Sequence, residues 1–221
     1  MEKTIPKRKR RSFMKTNHRG IRHFIAAAFM VIMFSMQGLA SDAYDMLIGE
    51  VSSRHSIDPL LIKALIRKES KFDPNAVGRH GEIGLMQLKL GAVQDWANAN
   101  GLQIPSREEL FLPATNIEIG VWYLAQALSS WKEYRQRHVL ALCQYNAGRS
   151  KTKEWLPSRK NGEVEIKQDG TRTYVSDILD CYSQYKEAGA RVRSETASLE
   201  TALTPADART KEGEEPIIPS A

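Results

Sequence analysis

Histidine and cysteine are scarce in this 221-residue chain, which has five of the first and two of the second. Only His80 and His138 follow His55, and Cys143 and Cys181 stand far apart, so no zinc-ligand spacing forms and no metal or organic cofactor is expected. Long apolar runs are missing too. Phe24 to Met36, apolar apart from Ser35, falls short of the ~20 residues that cross a bilayer. Positive charge is confined to one end. The first forty residues carry nine Lys/Arg and one acid, a balance of +8 against +6 for the whole chain, which leaves the remainder near −2. The overall basicity therefore belongs to that end and excludes nucleic acid as a partner.

Those forty residues read as a leader rather than as part of a fold. A basic stretch to Arg22, a short apolar stretch and the small residues Gly38-Leu39-Ala40 make a secretory signal peptide over 1–40, with cleavage expected after Ala40. The alternative is an uncleaved inner-membrane anchor. No cysteine lies near that site, which argues against a lipoprotein. Export implies a periplasmic location and an oxidising compartment, in which Cys143 and Cys181 either pair or remain small buried apolar residues.

From Ala43 to about Tyr185 the apolar spacing is helical. Tyr44, Leu47, Ile48 and Val51 form one stripe. Asp58-Pro59 opens a second helix as N-cap and first helical residue, with Leu61, Ile62, Leu65 and Ile66 as its stripe. A third helix is expected from Leu85 to about Asn98. Ser106 with Glu109 has capping-box spacing. Asn116 is expected to cap the next helix, and Val139 to Asn146 to form another. Val164 to Thr173, turning at Asp169-Gly170, reads as a small hairpin, with a last helix from Tyr174 to Tyr185. Past Ala188 the few large apolar residues predict a disordered tail over 188–221. One mainly helical domain, 41–187, is expected to act as a monomer.

Glu69 is the residue that asks for chemistry. It lies three positions after Ile66 and four after Leu65, on the stripe that should face the core. It also lies in a last turn, where the helix dipole disfavours negative charge. Burial and dipole both raise a carboxyl pKa, which suits a general acid for glycosidic cleavage. By position alone, a solvated Glu at a frayed end among Arg67, Lys68 and Lys71 is the competing reading.

The surroundings favour chemistry. Glu69-Ser70-Lys71-Phe72-Asp73-Pro74-Asn75-Ala76-Val77, then Gly81, then Gly84-Leu85-Met86-Gln87, resembles the catalytic segment of the soluble lytic transglycosylases. Gln144-Tyr145-Asn146-Ala147-Gly148 and Thr171-Arg172-Thr173-Tyr174-Val175 are similar to two later motifs of that family. The resemblance covers roughly residues 44–185. It implies a lysozyme-like (α+β type) fold and an enzyme that cleaves peptidoglycan glycan strands between N-acetylmuramic acid and N-acetylglucosamine. Glu69 would be acid and then base, leaving 1,6-anhydro ends. It also implies substrate contacts at Gln87 and the Met86 backbone, Tyr145 close enough to orient the Glu69 carboxyl, and Tyr174 walling the cleft. Asn146 would hold a turn. Trp96, Trp122, Trp131 and Trp155 are expected in the core rather than against sugar.

Three positions depart from the family pattern: Gly78 where Ser is usual, Glu82 where Ala is usual and Leu90 where Pro is common. Glu82 puts an extra carboxylate on the loop facing the cleft, where it could touch muropeptide or stay solvated. Two other functions share the same residues: a lysozyme- or chitinase-like hydrolase, and a non-catalytic wall-binding or secretion-accessory module. An envelope or secretion complex is the kind of assembly that would recruit either.

Overall fold

The computed structural model describes residues 42–203, and the expected leader over 1–40 lies outside them. Seven α-helices are described: α1 Asp45–Arg54, α2 Pro59–Ser70, α3 Leu90–Asn100, α4 Pro113–Ser130, α5 Arg137–Ala147, α6 Arg149–Lys153 and α7 Asp169–Leu203. A single 3-10 turn, Glu109–Phe111, precedes α4. Among the described residues there is no strand. The β part is reduced to two isolated antiparallel bridges, Val77 with Ile83 and Ile83 with Leu88, inside the loop from α2 to α3.

α2 forms where its residues said it would. The Asp58 side chain accepts from the Leu60 N–H at 2.9 Å, Pro59 takes the first helical position, and Leu61, Ile62, Leu65 and Ile66 are buried. Each of those side chains is worth roughly 1.5–3 kcal/mol of transfer out of water. Lys71, left-handed at φ 55, ends the helix by returning its N–H to the Arg67 carbonyl. α7 packs against α2 more extensively than any other pair of elements meets. Its Tyr182 hydroxyl donates to Asp58 at the start of α2, and its Asp177 pairs with Lys68 near the end, so the two run antiparallel. α4 lies across the middle, against α1, α3 and α5.

Ser106 and Glu109 form the expected reciprocal cap: the Ser106 N–H donates to Glu109 at 2.7 Å and the Glu109 N–H to the Ser106 hydroxyl at 3.2 Å. Four other expectations are corrected. The third helix starts at Leu90, not Leu85, because residues 85–88 are committed to the bridged loop. Asn116 caps nothing. It sits fully buried inside α4, which starts at Pro113, and its amide binds the Met86 N–H and the Ile83 and Leu110 carbonyls at 2.8, 2.9 and 2.7 Å.

No hairpin forms at 164–173. Asp169 and Gly170 open α7, where an acidic first turn suits the helix dipole, and the Arg172 guanidinium holds the preceding segment by donating to the Ile166 carbonyl. Nor does helix stop at Ala188. α7 continues to Leu203, with exposed side chains from Ala190 to Ser198, because extending a helix already anchored in a core escapes the cost of nucleation. The rest of the expected tail lies outside the described residues. Cys143 and Cys181 are free, and Cys143 is a buried apolar group whose thiol burial pushes up to about 12.

α4 packs closely beneath the loop at Gly120. A Cβ on Gly120 would meet Met86 Sδ at 2.4 Å and Met86 Cβ at 2.8 Å. Gly120→Ala should therefore destabilise the domain by roughly 1–3 kcal/mol. Chemical denaturation checks this, and an unmoved midpoint would contradict the contact.

Candidate active site

The α2–α3 loop, α3, α4 and the end of α5 enclose a cleft of about 580 Å³, in the range of roughly 300–1,000 Å³ usual for ligand sites. Glu69, Gly78, Glu82 and Gln87 line one part of it, Tyr123 and Tyr145 another. Glu69 reaches it from the last turn of α2, half-buried. Its carboxyl accepts a hydrogen bond from the Tyr174 hydroxyl at 2.5 Å, across 105 positions of sequence. Burial pushes the Glu69 pKa up to about 7, with Glu82 adding to the rise, against the Tyr174 hydrogen bond and the charges of Lys89 and Lys68. The group is thus about half protonated at neutral pH. The solvated-end reading fails.

The two tyrosines exchange the roles expected of them. Tyr145 does not orient Glu69. Its hydroxyl donates to the Met86 carbonyl at 2.8 Å, and its ring meets Tyr123 edge-on, with centroids 5.7 Å apart. Tyr174, expected as a wall of the cleft, is buried and is the group that fixes the acid. Met86 is buried as well, with its N–H held by Asn116 and its carbonyl by Tyr145, so it supports the floor from beneath.

Gln87 does face the cleft. Its backbone is left-handed, φ 47, a conformation uncommon outside glycine that tends to mark functional sites. Its side-chain N–H group donates to the Ala76 and Gly84 carbonyls, which leaves its amide oxygen turned to the space over Gly78. Gly84 itself, at φ +74, faces away: a Cβ there would meet the Asn116 amide at 2.3 Å.

Asn146 accepts from the Thr171 hydroxyl at 2.8 Å and thereby joins the end of α5 to the start of α7. Of the four tryptophans expected in the core, Trp131 and Trp155 are buried and Trp96 and Trp122 half-buried, and no tryptophan lines this cleft. Tyr123 and Asp95 line it without having been expected in the site: Tyr123-Leu124 fits the family's intervening helix but carries no role there, and Asp95 looks like an ordinary residue of α3. Among the described residues no cluster of His, Cys, Asp and Glu could hold a metal ion.

Tyr174→Phe removes an interaction that favours the charged carboxylate, so the Glu69 pKa should rise further. A reaction that needs the protonated acid is lost as pH rises through that pKa. The alkaline limb of a pH–rate profile should therefore move to higher pH in this variant, and a shift to lower pH would contradict the hydrogen bond's role.

A mainly helical domain with one half-protonated carboxyl beside an open cleft has the make-up of the lysozyme-like folds. The family described as Transglycosylase SLT domain matches residues 46–168, and the chain belongs to that family. Among curated proteins it is similar to the membrane-bound lytic murein transglycosylase C of Salmonella arizonae, 35% identical over 108 residues, and to that of Salmonella typhimurium, 34% identical over 108. Each match takes in 46% of this chain and 30% of the relative, so the chain spans under a third of their length.

Among solved structures it resembles the inactive Glu-to-Gln mutant of the lytic transglycosylase Slt from Pseudomonas aeruginosa, with TM-score 0.58 and 29% identity over 66% of this chain and 25% of that one. The 70 kDa soluble lytic transglycosylase of Escherichia coli matches with TM-score 0.58 and 26% identity over 65% and 24%. A complex of the 70 kDa soluble enzyme with bulgecin A matches at the same TM-score and 27% identity, over 66% and 24%.

Proposed function

We propose that this domain cleaves peptidoglycan glycan strands at the β-1,4 bond between N-acetylmuramic acid and N-acetylglucosamine. The observation that carries this reading is Glu69: a carboxyl held near neutral pKa by burial, fixed by Tyr174 and opening on a cleft. The chain's similarity to lytic murein transglycosylases supports it. Glu69 gives its proton to the bridging oxygen as the bond from that oxygen to the muramoyl anomeric carbon breaks. The substrate's own N-acetyl oxygen stabilises the cation left on that carbon, the substrate-assisted exception to two-carboxylate cleavage. Glu69, now a carboxylate, takes the proton of the muramoyl 6-hydroxyl while that oxygen closes on the anomeric carbon. A 1,6-anhydro ring forms, the acid is restored and no water is consumed.

Digestion of purified sacculi followed by mass spectrometry tests the reading, with anhydro-muropeptides as the expected product. Reducing ends in their place would mean hydrolysis. One observation favours that alternative: a second, ionised carboxylate in the cleft. Burial opposes ionisation of Glu82, but its own N–H, the His80 N–H and the charges of His80 and Lys89 hold its pKa below the usual carboxylate range. No product at all, with glycan binding intact in Glu69→Gln, would mean a wall-binding module.

Export fits this substrate. The leader-like first forty residues support a periplasmic site of action, either free or anchored at the inner membrane. No described helix is long and apolar enough to cross a membrane. We propose that the domain works as a monomer, recruited to the wall by an envelope or secretion complex.

A further inference from the structure

The loop between α2 and α3 contains a mutual fit that the proposed chemistry does not use. A Cβ built on Gly78 would lie 2.3 Å from Glu82 Oε2, 2.9 Å from Glu82 Cβ and 2.7 Å from Gln87 Oε1. The space a side chain at 78 would take is thus already filled by the Glu82 carboxylate, with the Gln87 amide oxygen at its edge. Glu82 is not a solvated loop residue, since its side chain is only 15% exposed.

Its position is fixed on three sides. Oε2 accepts from the His80 N–H at 2.9 Å, Oε1 lies 3.5 Å from His80 Nδ1, and its backbone carbonyl accepts from the Gly78 N–H at 2.8 Å. A carboxylate has about four acceptor positions, and those contacts leave some of them open. The Gln87 side chain spends its N–H donors on Ala76 and Gly84, so its oxygen is also an acceptor facing this space. Glu69, Gly78, Glu82 and Gln87 all line the same cleft. Two acceptors that converge on the space over Gly78, in the same cleft as Glu69, fit a ligand that brings its own O–H or N–H.

We propose that Glu82 is a specificity-determining residue of this cleft: with Gln87 it accepts a hydrogen bond from a hydroxyl or amide N–H of the amino sugar seated beside Glu69, from a position it can hold only because residue 78 is glycine. This rests on the glycan-cleaving reading above. It makes Gly78 and Glu82 a dependent pair, each tolerable only with the other or with both replaced.

The test is a double-mutant cycle in the full chain: wild type, Gly78→Ser, Glu82→Ala and the two together, with kcat and KM on purified glycan strands and a melting temperature for each. Glu82→Ala should raise KM about tenfold, the value of one charge-assisted hydrogen bond, with kcat within about twofold. Gly78→Ser alone should lose at least about tenfold in kcat/KM and melt lower. Adding Glu82→Ala should recover part of both losses.

Additive effects across the cycle, or an unchanged KM in Glu82→Ala, would overturn the proposal. Glu82→Gln, which keeps the shape and an acceptor but not the charge, should fall between wild type and Glu82→Ala. That series decides the matter even if Gly78→Ser does not fold. A wild type that releases no sugar product would defeat the glycan-cleaving reading instead, and the two failures are therefore told apart.

Discussion

Glu69→Gln should lower product release from sacculi by at least ~10²-fold, the usual size of a general-acid contribution. The amide keeps the shape and can still accept from Tyr174, but it has no proton to give to a leaving oxygen. Stability separates this loss of chemistry from a loss of fold. A carboxyl whose folded pKa is about 7, raised from 4.5, binds its proton more tightly in the folded state. Between those two values the folded chain holds more protons than the unfolded one, so stability falls as pH climbs from 4.5 to 7 and stays lower above that. The full effect is up to about 3 kcal/mol.

The Gln variant has nothing to ionise at that position. It should melt at or above wild type at pH 8 and lose that advantage near pH 4. A variant that is inactive and also less stable at pH 8 would mean that Glu69 is structural.

Asn116→Ala should be the most damaging single change away from the acid. Its amide has no exposure and ties three backbone groups from two segments: the Met86 N–H, the Ile83 carbonyl and the Leu110 carbonyl. Truncation strips the Met86 N–H and the Leu110 carbonyl of that side-chain partner in a dry interior, at about 1–3 kcal/mol each, leaves the Ile83 carbonyl only the Leu88 N–H, and opens a small void. A loss on the order of 4 kcal/mol is expected, a large part of the ~5–15 kcal/mol that holds a domain folded.

Met86 carries the carbonyl that Tyr145 grips and precedes Gln87, so the cleft should suffer with the fold. Chemical denaturation gives the magnitude, and amide exchange at Met86 reports the site directly. Unchanged protection at Met86 would show that the amide network does not hold the loop.

Local signals were legible where one short segment contains its own cause. Asp58 and Pro59 start α2 by capping chemistry, and Ser106 with Glu109 makes its cap across three residues. The stripe from Leu61 to Ile66 points to the core and Glu69 continues it, but spacing alone leaves a solvated Glu69 open, and the motifs around it are needed to favour a buried acid. The same local rules misled wherever a partner from elsewhere won. Asp169-Gly170 is good turn chemistry, yet an acidic residue suits a helix start equally well, and the packing of α7 on α2 takes it. Asn116 is a good cap residue, yet the bridged loop needed its amide inside α4.

The chain alone, then, determined its helical character, the ends of α2, the one acid worth watching and the family resemblance, because those follow from spacing and from backbone groups a few positions apart. Only the tertiary structure decided which tyrosine holds that acid and what stands over Gly78. A linear reading assigns that role to Tyr145, and the fold gives it to Tyr174. The choice between them depends on how α7 is laid along α2, which brings together residues 105 positions apart. The fit of Glu82 over Gly78 is likewise a matter of tenths of an ångström in a folded loop, set by steric exclusion that no spacing rule encodes.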